Sequence, residues 1–306
     1  MVQKQAVTKQ QDTSPLLARL TATADAFNAT VAQCAQDVEP AGVHRLRTGS
    51  RRLQAMLEAT LRENPALEQP ARAWLRQLKK IRRAAGAVRD LDVHRKMLEK
   101  WVGKDSPISS PTPGAETLDA WLKNERKHLA HGMQKQFSKH QQALAKRQAA
   151  FMVAIGSLPP GEMRRLRPAD SVALEAFVRA NDTMPLLDAE NLHEFRKATK
   201  KARYVAESGA QGEANSVATA LKRIQDAIGD WHDWLRLCEE AKTVLGQDAP
   251  ELTALFERQV ERHFTAAMKT SQTMRGRLLG EWMASDGKRP PATVSISDGR
   301  RFASGF

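Results

Sequence analysis

A chain of 306 residues can bury one large core or two smaller ones, and 41% hydrophobic with 27% charged residues is an ordinary globular composition. The charge is not balanced: 48 Lys and Arg face 35 Asp and Glu, for a formal net charge of +13. Such an excess attracts polyanions over a Debye length or more, which narrows the partner to nucleic acid, polyphosphate or an anionic membrane.

Residues 1–13 are polar and lack the apolar stretch of a signal peptide. No later segment approaches the ~18 unbroken apolar residues of a membrane span, so a soluble cytoplasmic protein without membrane contact is expected. Apolar residues then recur at steps of three and four almost throughout, with no alternating strand pattern, which predicts an all-α fold. In chain order the helices are expected at residues 15–37, 43–63, 65–102, 115–155, 162–181, 189–208, 214–245 and 250–282. Residues 103–114 hold too many Pro, Ser and Gly to be helical, and the GSLPPG run at 156–161 is the best boundary between lobes. The expected organisation is a flexible terminus at 1–13, helical units at 14–156 and 157–283, and a disordered tail at 284–306. Cys34 and Cys238 have no ligand spacing and sit inside helical patterns, the setting of two reduced thiols, although a bridge between them stays open.

Self-comparison shows an internal repeat. VHRLRTGSRRL at 43–53 aligns without gaps on LHEFRKATKKA at 192–202, placing His44 on His193, Arg47 on Arg196, Arg51 on Lys200 and Arg52 on Lys201. LKKIRRAAGAVRD at 78–90 aligns on LKRIQDAIGDWHD at 221–233, placing Lys79 on Lys222, Lys80 on Arg223, Gly86 on Gly229, Arg89 on His232 and Asp90 on Asp233. Two blocks in the same order in both halves point to a tandem duplication of about four helices each.

At about 100° per residue, His44, Arg47, Thr48 and Arg51 share one face of their helix, with Leu46, Leu53 and Leu57 opposite. In the second copy His193, Arg196, Lys197 and Lys200 share a face that Arg203 widens, opposite Phe195, Ala202 and Ala206. A solvated charged face is the common fate of such residues. Solvated faces mix signs at i,i+4, however, whereas these stripes set like charges together in both copies, which favours anion binding. Lys79, Arg82, Arg83 and Arg89 add to the first half, and Lys222, Arg223 and His232 to the second. A helical glycine costs about 1 kcal/mol against alanine, so Gly86 and Gly229 imply close approach by a packed helix or, less simply, by an anion.

The HRLRTGSRRL run at 44–53, RDLDV at 89–93, HEFRKATKKARY at 193–204 and LKRIQDAIGDWHD at 221–233 together resemble the CHAD family, the conserved histidine α-helical domain. The resemblance implies two four-helix bundles related by approximate two-fold symmetry, with basic faces meeting in a pore or groove. It also implies binding of inorganic polyphosphate without catalysis or cofactor, and association with polyphosphate granules. The implied binding residues are His44, Arg47, Arg51, Arg52, Lys79, Arg82, Arg83, Arg89, His193, Arg196, Lys197, Lys200, Arg203, Lys222, Arg223 and His232. Glu194 and Asp226 depart from a purely basic second half, which should bind less strongly. No strand-like ExExK pattern of a companion triphosphate-tunnel domain is present, so a stand-alone domain is expected.

Two other readings use the same residues. Basic helical surfaces bind RNA or DNA, but base recognition needs aromatic platforms or a recognition helix, and Trp74, Trp101, Trp231 and Trp234 read as core or interface residues. His232-Asp233, Asp90, Asp92 and His94 invite a metal-dependent phosphohydrolase. The repeat opposes it, because Arg89 stands where His232 does and arginine binds no metal. Asp90 and Asp233 more simply cap a turn or orient the adjacent Arg89 and His232, while His128, His131, His140 and His263 read as surface residues. His44 and His193 sit among cations that oppose their protonation and that bound phosphate would offset, so binding should tighten as pH falls through the histidine range.

Overall fold

The computed structural model describes residues 15–102, 113–159, 169–209 and 215–285. Among them every regular element is helical: α1 (Pro15–Gln36), α2 (Pro40–Glu63), α3 (Glu68–Val102), α4 (Ala115–Gly156), α5 (Ala169–Thr183), α6 (Leu192–Gly209), α7 (Ser216–Leu245) and α8 (Pro250–Ala284). The expected terminus at 1–13, most of the loop at 103–114, the start of the fifth helix at 162 and residues 286–306 of the expected tail lie outside the described residues.

Element ends follow local chemistry. Pro40 occupies the first turn of α2, where its fixed φ suits a helix and its missing N–H is not needed, so the helix begins three residues before the expected Val43. Pro65–Leu67 forms a 3-10 turn instead of the first turn of α3. Asp188 accepts at Oδ1 from the backbone N–H groups of Glu190 and Asn191, a turn that delays α6 from the expected 189 to Leu192. Asn215 caps α7 by accepting from the Ala218 N–H at 2.8 Å. Gly114 precedes α4 with φ of +83°, and a Cβ there would lie 2.6 Å from Ala249 Cβ. Both the backbone sign and the contact require glycine.

The helices form two sets. α1, α2, α3 and α4 enclose one core, which includes Phe27, Leu46, Trp74, Phe137 and Phe151, with Trp74 tilted on Phe151 at 5.5 Å. α5 to α8 enclose a second around Phe177, Phe195, Ile224, Ile228 and Trp231. Each large side chain removed from water contributes about 1.5–3 kcal/mol. A third cluster, including Leu91, Leu118, Leu122, Trp234, Leu237 and Phe256, joins α3 and α4 to α7 and α8. The joint also carries buried polar pairs: His94 Nδ1 lies 2.7 Å from Glu240 Oε2, and Arg126 donates to Asp92 and to the Val38 carbonyl. Away from that joint, α2 packs directly on α6. Cys34 and Cys238 are free thiols buried in different cores.

Candidate functional site

The apolar sides of α2 and α6 fix where their basic sides go. Leu46, Leu53 and Leu57 are fully buried in one core, and Phe195, Ala202 and Ala206 in the other. Arg47 and Arg51 therefore turn toward Arg196 and Lys200 across the gap between the two helix sets. A cavity of about 480 Å³ lies there. α2 lines it with Arg47, Arg51, Gln54 and Glu58, and α3 with Arg82 and Asp90. α6 supplies His193, Arg196, Lys197, Lys200, Lys201 and Tyr204, and α7 supplies His232 and Asp233.

The guanidinium groups are held individually. Arg47 donates from one nitrogen to the Gly86 carbonyl at 3.1 Å and to Asp90 Oδ1 at 2.9 Å. Arg196 lies over Gly229, where an added Cβ would meet its terminal nitrogen at 3.0 Å; the same Cβ on Gly86 would stand 3.5 Å from Arg47. Gly229 thus makes room for an arginine side chain and Gly86 faces one at ordinary contact distance, in place of the packed helix expected from the sequence. Arg82 donates to Gln54 Oε1, and Gln54 donates to Glu58 at 2.6 Å, so a carboxylate acts on Arg82 through an amide. Tyr204 is almost buried, with Arg203 over its ring at 4.6 Å and its hydroxyl 3.5 Å from Arg51. His193 stacks on His232 at 4.6 Å between centroids. His193 Nδ1 and Arg196 Nε are buried without a hydrogen-bond partner among the described residues.

The electrostatics follow from gathering cations in a place poor in water. Burial depresses the Lys200 ammonium, and Arg196, Arg51, Arg47 and Arg203 push it further, to about 6. Burial, then His232 and Lys197, bring His193 down to about 4. His44 is lowered by burial first and by Arg89, Arg47, Lys96 and Arg51 after it. Neighbouring charge was the cause expected for both histidines; loss of solvent comes before it. Arg51, Arg82 and Arg196 are lowered mainly by the same desolvation.

Several expected residues lie elsewhere. His44 and Arg52 are exposed and line a separate groove of about 480 Å³ between α1 and α2, together with Arg19 and Arg45. Lys79, Arg83, Lys222 and Arg223 are exposed outside the cavity, and Lys222 is paired with Asp226. Arg89 also falls outside its lining, as does Arg203, which pairs with Glu207 at 3.2 Å. A helix wheel fixes a side chain's direction but not which turns of the helix a neighbour reaches, which separates Arg82 from Lys79 on one face. Lys201, Tyr204, Gln54 and Glu58 line the cavity without having been singled out; Lys201 was visible as the repeat partner of Arg52, and Tyr204 ends the HEFRKATKKARY run.

The carboxylates have structural partners. Asp90 and Asp233 lie within helices and cap nothing; Asp90 holds Arg47 of another helix, not the adjacent Arg89. Asp92 and His94 are buried at the joint on Arg126 and Glu240. No group of three His, Cys, Asp or Glu side chains placed to hold a metal occurs among the described residues. Trp74, Trp231 and Trp234 are buried, Trp101 stands edge-on to Trp234 at 5.5 Å, and His263 stacks on Trp234 at 6.0 Å instead of lying free on the surface. No described helix is long and apolar enough to cross a membrane.

No curated protein matches the chain. Among solved structures, PptA from Streptomyces chartreusis superposes with a TM-score of 0.61 at 17% identity, covering 84% of this chain and 98% of that one. The CHAD domain from the plant Ricinus communis superposes with a TM-score of 0.55 at 18% identity, covering 90% of this chain and 87% of the other. Both likenesses concern the fold. The model of the CHAD domain matches residues 18–242, which is most of the chain, and with the helical architecture this places the protein in the CHAD family.

Proposed function

We propose that the chain binds inorganic polyphosphate, without catalysis, in the cavity between α2 and α6. The observation that carries the reading is the meeting of Arg47, Arg51 and Arg82 from one helix set with Arg196, Lys197, Lys200 and Lys201 from the other. Arginine offers phosphate a planar fork of donors, and lysine a movable charge. A linear polyphosphate bears on the order of one negative charge per unit, like a nucleic-acid backbone without bases, so binding gains from released counterions. His193 Nδ1 and Arg196 Nε, without a partner among the described residues, supply further polar atoms for an anion. Nucleic acid fits less well, since the only aromatic side chain other than histidine in the lining is the nearly buried Tyr204, which offers no face for a base. Asp90, one of the carboxylates in the lining, is engaged with Arg47. A binder of this kind would be carried to polyphosphate granules in the cell.

The test is binding of long-chain polyphosphate across a salt series, comparing the native chain with the Arg47→Ala, Arg51→Ala, Arg196→Ala, Lys200→Ala variant, with RNA of matched charge as competitor. Tight, salt-dependent binding that the variant loses and RNA displaces poorly is expected. Unchanged affinity in a folded variant would make the cavity an idle cluster of charge.

A further inference from the structure

We propose that Lys200 is a site of acylation by acyl phosphates, whose phosphate is seated by Arg47, Arg51 and Arg196 while the Lys200 amine attacks the acyl carbon. The proposal rests on the reading that this cavity takes phosphate groups. Three features of the site carry it. Lys200 lines the cavity in company with those guanidinium groups. It makes no ion pair or hydrogen bond with any described residue, in contrast to Lys197, which holds Glu194 at 2.6 Å. It is also only partly exposed, whereas Lys197 and Lys201 on the same helix are open to solvent.

The chemistry needs a neutral amine beside a bound phosphate, two conditions that normally exclude each other because the phosphate favours protonation. Here the surplus of fixed cations keeps them compatible. Arg47, Arg51, Arg82, Arg196, Lys197 and Lys201 outnumber Glu58, Asp90 and Asp233, and one acyl phosphate does not reverse the sign of that field. In the step, the Lys200 nitrogen forms a bond to the acyl carbon and the bond from that carbon to the phosphate oxygen breaks. Inorganic phosphate leaves with the electron pair, and the proton released by nitrogen passes to it. Guanidinium groups that held the phosphate also stabilise it as it departs.

The expected selectivity can be worked out. With the amine at about 6 in place of 10.5, the neutral fraction at pH 7 rises about 3,000-fold. A weaker base is a poorer nucleophile; with a Brønsted slope of about 0.5, as for thiols, some 200-fold of that is lost, leaving roughly 15-fold. Seating the phosphate adds to this by proximity. The product is an amide that stays uncharged, which removes one potential cation from the cavity.

The experiment treats the full chain with acetyl phosphate at pH 7 and follows Lys197, Lys200 and Lys201 by peptide mass spectrometry, with acetic anhydride as a reagent lacking phosphate. Lys200 is expected to react at least about tenfold faster than either neighbour with acetyl phosphate, and with a smaller preference toward the anhydride. Equal rates at the three lysines, or the same preference with both reagents, would overturn the proposal. A third arm adds inorganic polyphosphate, which should protect Lys200. Preference without protection would uphold acylation while counting against polyphosphate as the natural occupant, so the two readings fail separately.

Discussion

Gly229→Ala should stabilise the protein and weaken its binding of polyphosphate. The backbone of α7 at this residue is ordinary helix, so alanine removes the entropic cost of glycine, about 1 kcal/mol. The new Cβ would stand 3.0 Å from the terminal nitrogen and 3.6 Å from Nε of Arg196, the movable end of a side chain and not backbone. Arg196 can yield by a few tenths of an ångström, at a cost smaller than the helix gains. That movement displaces its donors in the cavity, and a charged hydrogen bond to ligand is worth about 1.5–3 kcal/mol. Losing roughly half of it lowers affinity about four- to twelvefold. Gly86→Ala is the internal control, because its Cβ would meet Arg47 at 3.5 Å, an ordinary contact. That variant should gain similar stability and keep its affinity within about twofold. Thermal unfolding and polyphosphate titration of both variants make the comparison. A lower melting temperature for Gly229→Ala would refute the reasoning, since it would mean that something less yielding than a guanidinium occupies the space.

Binding should take up protons. Lys200 at about 6 and His193 at about 4 are largely neutral at pH 7, and a bound polyphosphate, with its many charges, raises both. Affinity therefore increases as pH falls through neutrality toward 6 on account of Lys200, with His193 extending the rise into acid. Calorimetry in buffers of different ionisation enthalpy should register the uptake, and Lys200→Arg, permanently charged, should reduce it. Arg82→Ala should flatten the dependence of log K on log salt by about 0.7, the loss of one phosphate contact on a single strand, while Arg83→Ala, exposed outside the cavity, should change it less. Glu240→Ala leaves buried His94 without its partner and should cost about 1–3 kcal/mol in denaturant unfolding; an unchanged midpoint would show the pair to be idle.

The helices were legible because their periodicity is strong, and so were the two buried faces, since Leu46, Leu53 and Leu57 recur at helical spacing with only the small Ser50 polar among them. Arg47, Arg51, Arg196 and Lys200 were legible for a second reason, the repeated run of like charges with no i,i+4 partner. What failed to show was anything that depends on distance along a helix or on contact between distant segments. Lys79 and Arg82 share a wheel position and part company in the structure because only one lies where α2 and α6 meet. His94 gave no sign of burial, since its partner Glu240 lies on α7 and no local pattern links the two. The glycines were noticed, but their purpose depends on side chains from another helix.

The state of Lys200 could not be read from sequence either, and it gives the clearest view of how the site is built. A lysine in a helical run as charged as HEFRKATKKARY would be expected to reach solvent and stay charged. Here the cations that depress it come from two separate stretches of chain, Arg47 and Arg51 on α2 and Arg196 and Arg203 on α6. Each such neighbour in partial burial costs on the order of a few kcal/mol of repulsion if every group is charged. The site limits this cost in two ways. Asp90 restrains Arg47, and Asp233 draws on Arg196, without cancelling the cluster. Lys200 and His193 are largely neutral at pH 7. An incoming polyanion reverses both conditions: it supplies the missing counter-charge, and the two groups that were neutral can become donors to it. The charge of the site thus follows its occupancy. A neutral amine exists only while the cavity lacks a polyanion, which is also the only time an acyl phosphate could reach it.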